Sequence, residues 1–367
     1  MSTSTKAIKA KTPKTKSTKK AINVTTKKLF PYSGSKHKYR AQLQNVVSKL
    51  NVKKVSTYIE PFAGSLGSFF HIIEMIEADK IILNDINRKM TNIYQQIQDN
   101  PKQVAHAYSK LEDMFQSFLP DGYKTTVPKD KRHLMIDARD FYHSVRDYIN
   151  DADFTANHAA AMVFVLNHNF NGLYNESKKG RFNGSFNWNA KRINYADMST
   201  LIQQIHEILT TKNVEIYTMD VFELLHQFND PDTFIYLDPP YIDNTIKYVA
   251  DGFDLSLHNQ MKLVQMTNKY NYVMYSNHHH EAFASFFGDY VNFYRTNKIS
   301  KNSKKPAEIM AYKINKLSEA VNNADFQQAK VPSAQFTHPM LDSLMDTEQK
   351  PANKSIPKSI NPSDFTA

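Results

Sequence analysis

The sequence contains no cysteine among its 367 residues. This absence excludes disulfides and thiolate metal sites, and it fits a reducing compartment. A run of about 18 apolar residues is also missing, so we expect no membrane-spanning segment. No apolar segment lies near the N-terminus, and we expect no secretory signal. The 41% of hydrophobic residues suffices for one large domain or a domain with a sizeable insertion.

Acidic residues are absent from the first 28 residues, which hold nine lysines. The formal net charge is +10, so the rest of the chain carries only +1. This Ser/Thr/Lys-rich segment cannot bury a core, and we predict that it is disordered. It could bind polyanions through counterion release, or it could serve as a solubilising or targeting tail. The tail leaves a nuclear location open as an alternative.

The remaining chain divides by composition. Residues 317–367, with scattered prolines and polar runs, are predicted to form a second low-order tail. The folded body therefore covers about residues 29–316, and it shows no internal repeat. Within it, residues 29–100 and 211–316 are assigned to one domain and residues 101–210 to an insertion.

Apolar runs in the body predict strands that alternate with helices. The predicted strands are residues 56–62, 80–85, 214–220, 233–238, 271–277, 291–296 and 308–313. Helices are predicted over residues 37–50, from the first glycine loop to about Ala78, and over 86–98. This order is typical of a doubly wound, Rossmann-like α/β sheet. Residues 101–210 break the alternation, which indicates a mainly helical insertion that carries a hairpin or loop.

The segment "TFIYLDPPY" places Asp238, two prolines and Tyr241 at the end of a buried strand. Ligands of open α/β sheets bind beyond the carboxyl ends of the strands. Proline fixes φ and has no N–H, so the adjoining carbonyls stay available as acceptors. A carboxylate, a free carbonyl and an aromatic ring together suit an exocyclic amine on a planar heterocycle. The simpler alternative is a strand that ends in a proline turn.

Three further signals are weak when taken singly. Gly64 and Gly67 follow a strand, but they form neither a G-x-G-x-x-G fingerprint nor a phosphate-binding P-loop. Asp85 ends the next strand, where an acid can accept from ribose hydroxyls or simply cap a helix. Lys36 follows a glycine turn, and such lysines are commonly solvated. The combination is more specific than any member.

Together these motifs resemble those of the Dam-type (α-group) DNA adenine-N6 methyltransferases, which use S-adenosylmethionine. The matching segments are "PYSGSK" (31–36), "YIEPFAGSLGSF" (58–69), "LNDIN" (83–87), "VLNHNFNGLYNESKKGRFNGSFN" (165–187), "LDPPY" (237–241), "FDLSLHNQMKLV" (253–264) and "YSNHH" (275–279). They occur in the α-group order over roughly residues 29–314. The resemblance implies a class I methyltransferase sheet in which residues 101–210 form a target-recognition domain.

By this resemblance, Asp238, Pro239, Pro240 and Tyr241 hold an adenine extruded from the duplex. The carboxylate of Asp238 and the carbonyl of Pro239 would accept from the amino group, while Tyr241 would stack on the base. An acid at position 238 favours adenine over cytosine as the target.

The resemblance also implies a binding site for S-adenosylmethionine. Asp85 would bind its ribose, and Asp220 its adenine, with Val221 or Phe222 against the ring. The residues expected to bind the cofactor are Tyr32, Lys36, Glu60, Pro61, Phe62, Ala63, Gly64, Gly67, Asp85, Asp220, Val221 and Asp238. No metal is required, and the "NHHHE" run at 277–281 is not predicted to bind one.

DNA contact is expected from the asparagine-rich segment, because amides and cations suit bases and phosphates. The candidates are Asn167, Asn171, Asn175, Lys178, Lys179 and Arg181, and residues 297–305 could form a second phosphate-contacting loop. For the asparagines, holding the loop through bonds to the backbone is an equal alternative. Dam enzymes that read GATC carry an arginine at the position of Asn175, so the recognition sequence stays open.

The predicted function is site-specific methylation of adenine N6 in double-stranded DNA. The alternatives are an N4-cytosine or RNA methyltransferase, or a DNA-binding relic without turnover. We expect a monomer that needs no membrane or metal, and a cognate restriction endonuclease is a candidate partner. The expected location is the cytoplasm or wherever the target DNA lies, with the nucleus as an alternative.

Overall fold

The computed structural model describes most of the predicted body. The described residues are 24, 27–120, 123, 128–189, 193–242, 256–280, 283, 287, 289–293 and 308–315. Both predicted tails, apart from a few residues at the end of the first, and the predicted loop at 297–305 lie outside them. No helix in this described part is long and apolar enough to cross a membrane.

Seven strands form one mixed sheet, in the order β3-β2-β1-β4-β5-β7-β6. The strands are β1 (Lys54–Glu60), β2 (Glu77–Asn84), β3 (Val214–Tyr217), β4 (Thr233–Leu237), β5 (Tyr272–His278), β6 (Asp289–Phe293) and β7 (Glu308–Ile314). Strands β1 to β5 pair in parallel, whereas β7 pairs antiparallel with both β5 and β6. All seven strands predicted from the apolar runs are confirmed, with small shifts of their ends.

Helices cover both faces of the sheet. They are α1 (Arg40–Leu50), α2 (Phe69–Ile72), α3 (Arg88–Asp99), α4 (Pro101–Ser117), α5 (Ile136–Asp151), α6 (Ala156–His168), α7 (Tyr195–Thr211), α8 (Val221–Gln227) and α9 (Leu257–Met266). Short 3₁₀ helices occupy Lys36–Lys38, Lys129–Met135, Phe170–Gly172 and Thr267–Lys269. The start of α3 follows from its sequence, because the Asn87 side chain accepts from the backbone N–H groups of Lys89 and Met90.

Successive side chains of the strands lie on opposite faces of the sheet, so the strands contribute to two hydrophobic cores. Tyr58 and Phe234 belong to a buried cluster shared with α1 and α3–α7, whereas Ile59 and Ile235 belong to a second cluster shared with α8 and α9. Successive strand residues point to opposite faces, which explains this division. Each fully buried side chain of this kind contributes about 1.5–3 kcal/mol relative to exposure. The central strands are therefore fixed in register from both sides.

One predicted helix is wrong in extent. The helix after the glycine loop, expected to reach about Ala78, ends at Ile72, and β2 already begins at Glu77. The reason is pairing, because the Glu77 amide donates to the Lys53 carbonyl at 2.7 Å and continues the β1 ladder. The mixed polar–apolar pattern of residues 73–79 did not reveal where α2 ends and β2 begins.

The predicted insertion contains α4–α7, which share the first buried cluster with the sheet. Between α6 and α7 the chain forms an antiparallel arm, residues 169–187, that bridges at Asn169–Phe186 and Glu176–Phe182. Its tip is a tight turn in which the Gly180 amide donates to the Ser177 carbonyl at 2.9 Å. A hairpin in this segment was predicted, and the arm confirms it.

Candidate active site

The acid of the D-P-P-Y segment lies at the carboxyl end of β4, in the middle of the sheet. Lys36 Nζ lies 2.6 Å from both Asp238 carboxylate oxygens and 3.1 Å from the Gly34 carbonyl oxygen. Only 1% of the Lys36 side chain is exposed, against 16% for Asp238. A buried ammonium thus fixes the orientation of the carboxylate. The expected cofactor role of Lys36 stays a prediction, since the partner seen here is Asp238.

Tyr241 lies beside this ion pair. Its ring centroid is 5.0 Å from Lys36 Nζ and 4.9 Å from the centroid of the His278 ring, which is nearly perpendicular to it. The Tyr241 hydroxyl donates to Glu308 Oε2 at 3.3 Å. These contacts orient the ring next to the carboxylate, and its stacking on a base stays a prediction. Glu308 and His278 carried no assigned role in the sequence, because their proximity depends on β5 and β7 meeting in the sheet.

The glycine loop after β1 packs directly on the segment that carries Lys36. A side chain at Gly67 would lie 2.5 Å from Ser35 Oγ and 2.9 Å from the His37 amide nitrogen. Gly64 has a φ of +48°, and an added Cβ there would lie 3.3 Å from the Tyr32 ring. Both positions therefore require glycine. Two motifs that are about 30 residues apart in sequence form one surface here.

Asp85 follows β2 and closes the glycine loop. Its Oδ2 accepts from the Gly64 amide and its Oδ1 from the Asn87 amide, both at 3.0 Å. Burial raises the pKa of Asp85 to about 6, although these two bonds oppose the shift. The acid therefore has a structural role in the loop. Carboxylate oxygens have spare lone pairs, so ribose binding stays a prediction that this geometry permits.

Asn84 is a site residue that the sequence did not single out. Its Nδ2 donates to the carbonyls of Pro61 and Met219, and its Oδ1 accepts from the Met219 amide. Its own carbonyl accepts from the Ala63 amide at 2.8 Å. One buried amide thus joins the loops that follow β1 and β3. A polar residue at the end of an apolar strand was the available signal.

Asp220 and Val221 lie where α8 begins. Asp220 Oδ1 accepts from the Phe222 amide at 2.8 Å, so this acid is the N-cap of the helix. Val221 is buried, and Phe222 is partly buried against the second core. Phe62 packs on that same core from the loop after β1. Their cofactor contacts stay predictions.

Glu60 lies beneath the loop, with 1% of its surface exposed. The hydroxyls of Tyr58 and Ser68 donate to its two oxygens. Burial raises the pKa of Glu60 to about 8, against the opposing effect of these bonds. Its visible contacts support the loop from the core side, and direct binding of a cofactor stays a prediction.

The residues predicted to contact DNA fall into two groups. Asn167 and Arg181 are bound to other elements of the chain: the Asn167 amide donates to the Leu29 carbonyl, and also to that of Val163 on its own helix, and Arg181 forms two bonds with Asp151 on α5. Asn171, Asn175, Lys178 and Lys179 are exposed along the arm. Asn171 has a left-handed φ of 58°, and Asn175 donates to Asn183 Oδ1 at 3.0 Å. Asn167 thus has the loop-holding geometry that the sequence left as an alternative.

Metal-ligating side chains do not cluster in the described part of the chain. Among the described residues, no group of three or more His, Asp or Glu side chains is placed to hold a metal ion. Within the histidine run, His278 Nδ1 lies 2.9 Å from the Ile242 carbonyl oxygen. That histidine has a structural partner in the D-P-P-Y loop.

Comparison with curated proteins gives a consistent result. Type II methyltransferase M.MjaIII of Methanocaldococcus jannaschii is 28% identical over 251 residues, or 66% of this chain and 80% of that protein. Type II methyltransferase M1.LlaDCHI of Lactococcus lactis is 28% identical over 247 residues, covering 65% of this chain and 78% of that protein. A DNA adenine methylase of Haemophilus influenzae is 24% identical over 220 residues, covering 59% and 67% respectively.

The profile of one family, described as D12 class N6 adenine-specific DNA methyltransferase, matches residues 32–305. That range contains every predicted site residue, and the mostly parallel sheet is consistent with a methyltransferase fold. The resemblance read from the motifs is confirmed. The chain belongs to the D12 class of N6-adenine-specific DNA methyltransferases, which are enzymes that act on DNA.

Proposed function

We propose that this protein transfers a methyl group from S-adenosylmethionine to adenine N6 at a specific site in double-stranded DNA. The observation that carries the proposal is the Asp238 carboxylate, held by the buried Lys36 ammonium at the end of β4. The glycine loop lies next to it through the contact of Gly67 with Ser35 and His37. An acceptor for an amine and a close-approach backbone loop therefore share one edge of the sheet.

The residues at this edge fit S-adenosylmethionine, which when bound supplies a methyl group on a positively charged sulfur. Gly64 lets the loop backbone pack closely against the Tyr32 ring, and glycines in such loops are typical where a backbone approaches a ligand. The carboxylates of Asp85 and Asp220 follow neighbouring strands and suit hydroxyl or amino donors. Aromatic faces and an acid are suitable neighbours for a sulfonium. Tyr32, Phe62 and Val221 would complete the apolar part of the site.

The chain would act on adenine by positioning and by electrostatics. The amine inside a duplex cannot reach the methyl group, so the base must be extruded. The Asp238 carboxylate and the Pro239 carbonyl would accept its two N–H groups, which directs the nitrogen lone pair at the methyl carbon. As the N–C bond forms, the C–S bond breaks with its electrons going to sulfur. The proton lost from the amine would pass to Asp238 and then to solvent.

Residues 101–210 would form the target-recognition domain within a Rossmann-like class I sheet, with residues 29–100 and 211–316 as the catalytic domain. Support comes from the arm, whose exposed Lys178 and Lys179 form its tip. Lysines there can neutralise phosphates without reading sequence, while Asn171 and Asn175 offer amides to base edges. Two relatives are named Type II methyltransferases, so a cognate restriction endonuclease is part of this proposal.

Methyl transfer from labelled S-adenosylmethionine to unmethylated duplex DNA tests the function. Digestion to nucleosides should place the label on adenine N6. The Asp238→Ala variant should lose about 10²–10³-fold in rate or more. The Asp113→Ala variant, which removes an exposed acid from α4, should match the wild type. Label on cytosine or only on RNA, or no transfer despite cofactor binding, would overturn the proposal.

A further inference from the structure

A buried amide on α9 holds the D-P-P-Y loop from behind. Gln260 Nε2 donates to the Pro240 carbonyl at 2.9 Å, and the residue is fully buried. Its Oε1 accepts from the Tyr275 hydroxyl at 2.8 Å and from Asn277 Nδ2 at 3.3 Å. The donor side of this amide therefore faces the loop, and the acceptor side faces β5.

A second buried amide holds the other side of Tyr241. Asn277 Oδ1 accepts from the Ile242 amide at 3.0 Å, and Asn277 Nδ2 donates to the Tyr275 hydroxyl at 2.7 Å. The two amides thus bind the carbonyl before Tyr241 and the N–H after it. They also contact each other, so the loop, α9 and β5 form one bonded unit.

These bonds decide which carbonyl the loop presents. Prolines have no N–H, so the loop has few backbone donors that could fix its orientation. The Pro240 carbonyl is occupied by Gln260, whereas no hydrogen bond to the Pro239 carbonyl is seen among the described residues. A carbonyl next to Asp238 that can still accept is the second acceptor that an amine requires. Its direction depends on the neighbouring peptide being held.

We infer that Gln260 is a positioning residue, which turns the Pro239 carbonyl towards the amino group of the target adenine by binding the Pro240 carbonyl. This inference rests on the proposed methyl transfer. Gln260 does not touch the reacting atoms. It acts through the loop, and its role needs a neutral group that donates to Pro240 while accepting from Tyr275 and Asn277, which the amide of Gln260 does.

Gln260→Glu gives the most specific test. The variant keeps the size of the side chain and an oxygen that accepts from Tyr275 and Asn277, but its ionised form cannot donate to the Pro240 carbonyl. The protonated carboxyl can donate to the Pro240 carbonyl again. We therefore expect the single-turnover rate, divided by that of the wild type, to fall as pH rises from 6 to 9. The expected fall is about 10- to 100-fold for the loss of a buried donor. Division by the wild-type rate removes the pH dependence that both proteins share. Tyr275 on β5 bonds directly to this amide, and burial raises the pKa of its hydroxyl.

Two further variants complete the test. Gln265→Glu makes the same change at an exposed position of α9 and should give a rate ratio near one at every pH. Gln260→Met, similar in size but without donor or acceptor, should be slow at every pH while still binding S-adenosylmethionine. It also serves as the test if the glutamate variant does not fold.

Two failures can be told apart. If the wild type transfers no methyl group to adenine, the proposed function fails. If the wild type transfers it, a pH-independent ratio for Gln260→Glu, or a Gln260→Met variant that is as fast as the wild type, overturns this inference alone. A rise in KM for DNA with an unchanged single-turnover rate would also overturn it, because a positioned carbonyl acts on the chemical step.

Discussion

The D-P-P-Y edge and the arm at residues 169–187 are built in opposite ways. At the edge, the groups proposed for chemistry are held by buried partners, as Lys36 holds Asp238 and Gln260 holds the Pro240 carbonyl. On the arm, bonds hold the base and the tip backbone, while the side chains of Lys178 and Lys179 are exposed and form no ion pair within the described part of the chain. Chemistry needs groups fixed before substrate binds. Phosphate contact does not, because a flexible lysine reaches its target from many conformations.

The arm is nevertheless attached firmly from below. Lys89 on α3 donates to Glu176 Oε1 and to the Gly180 carbonyl, both at 3.0 Å. Asn150 on α5 exchanges two hydrogen bonds with the Phe182 backbone. The arm therefore has a defined direction, and the side chains of Lys178 and Lys179 at its tip are exposed. The comparison predicts that changes at the edge alter the chemical rate, whereas changes at the tip alter DNA affinity.

Lys36→Met should have the largest effect. The Asp238 carboxylate would lose a buried donor at 2.6 Å and with it a fixed orientation. We expect the single-turnover rate at saturating cofactor to fall about 10²–10³-fold, with little change in DNA affinity. Lys38→Met, on the same 3₁₀ helix but exposed, is the matched control and should be near normal. A raised Kd for S-adenosylmethionine with an unchanged saturating rate would instead support the expected cofactor role of Lys36.

The arm tip should give a smaller effect of a different kind. Replacing Lys178 and Lys179 together by glutamine should reduce the slope of log Kd against log salt by about 0.9 for each phosphate that is no longer neutralised. DNA affinity at low salt should fall about tenfold, and the single-turnover rate at saturating DNA should stay unchanged. DNA binding measured across salt concentrations checks this prediction.

The control for the tip is a second adjacent pair. Lys53 and Lys54 are exposed at the start of β1, at the end of the parallel strands opposite to the site, so their replacement by glutamine should leave the salt slope unchanged. Equal slopes for the wild type and the tip variant would show that the arm does not contact phosphate.

Some features of the D-P-P-Y edge and of the arm could be predicted from the sequence. The central strand β4 was predictable because it is buried on both faces and reads as an apolar run, residues 233–237. The ends of β2 and β4 carry Asp85 and Asp238, so the site edge followed from the rule for parallel sheets. The arm was predictable from its glycine and asparagine content. These signals are local in the chain.

The partners of the site residues could not be predicted. Lys36 and Asp238 are 202 residues apart. Gln260 lies in a segment that resembles the family, but that match assigned it neither a role nor a partner. Asn84 looks like the last residue of a strand until its bonds to two other loops are seen. Such contacts depend on how elements meet, which hydrophobic periodicity does not specify. The same limit applied to the short α2, whose end is set by strand pairing.

The smallest effect is expected for Glu60, whose substitution tests whether burial of this carboxyl at the site edge destabilises the folded state. Burial raises its pKa to about 8 from the ordinary value of 4.5. Between these values the unfolded chain loses this proton but the folded chain keeps it, so rising pH destabilises the folded state. The loss of stability begins near the unfolded value and is complete above the folded one.

The Glu60→Gln variant has no ionisable group at this position. The difference between its melting temperature and that of the wild type should therefore rise between about pH 5 and pH 8 and then level off. Each kcal/mol corresponds to about 2–4 °C in a domain of about 150–250 residues and to less in this longer chain, so a rise on the order of 5 °C is expected. Glu77→Gln, an exposed carboxylate at the start of β2, should show a constant difference across the same range. A difference that is also constant for Glu60→Gln would mean that the ionised carboxylate is accommodated beneath the loop. The edge would then be fixed by packing and hydrogen bonds without an electrostatic cost at this position.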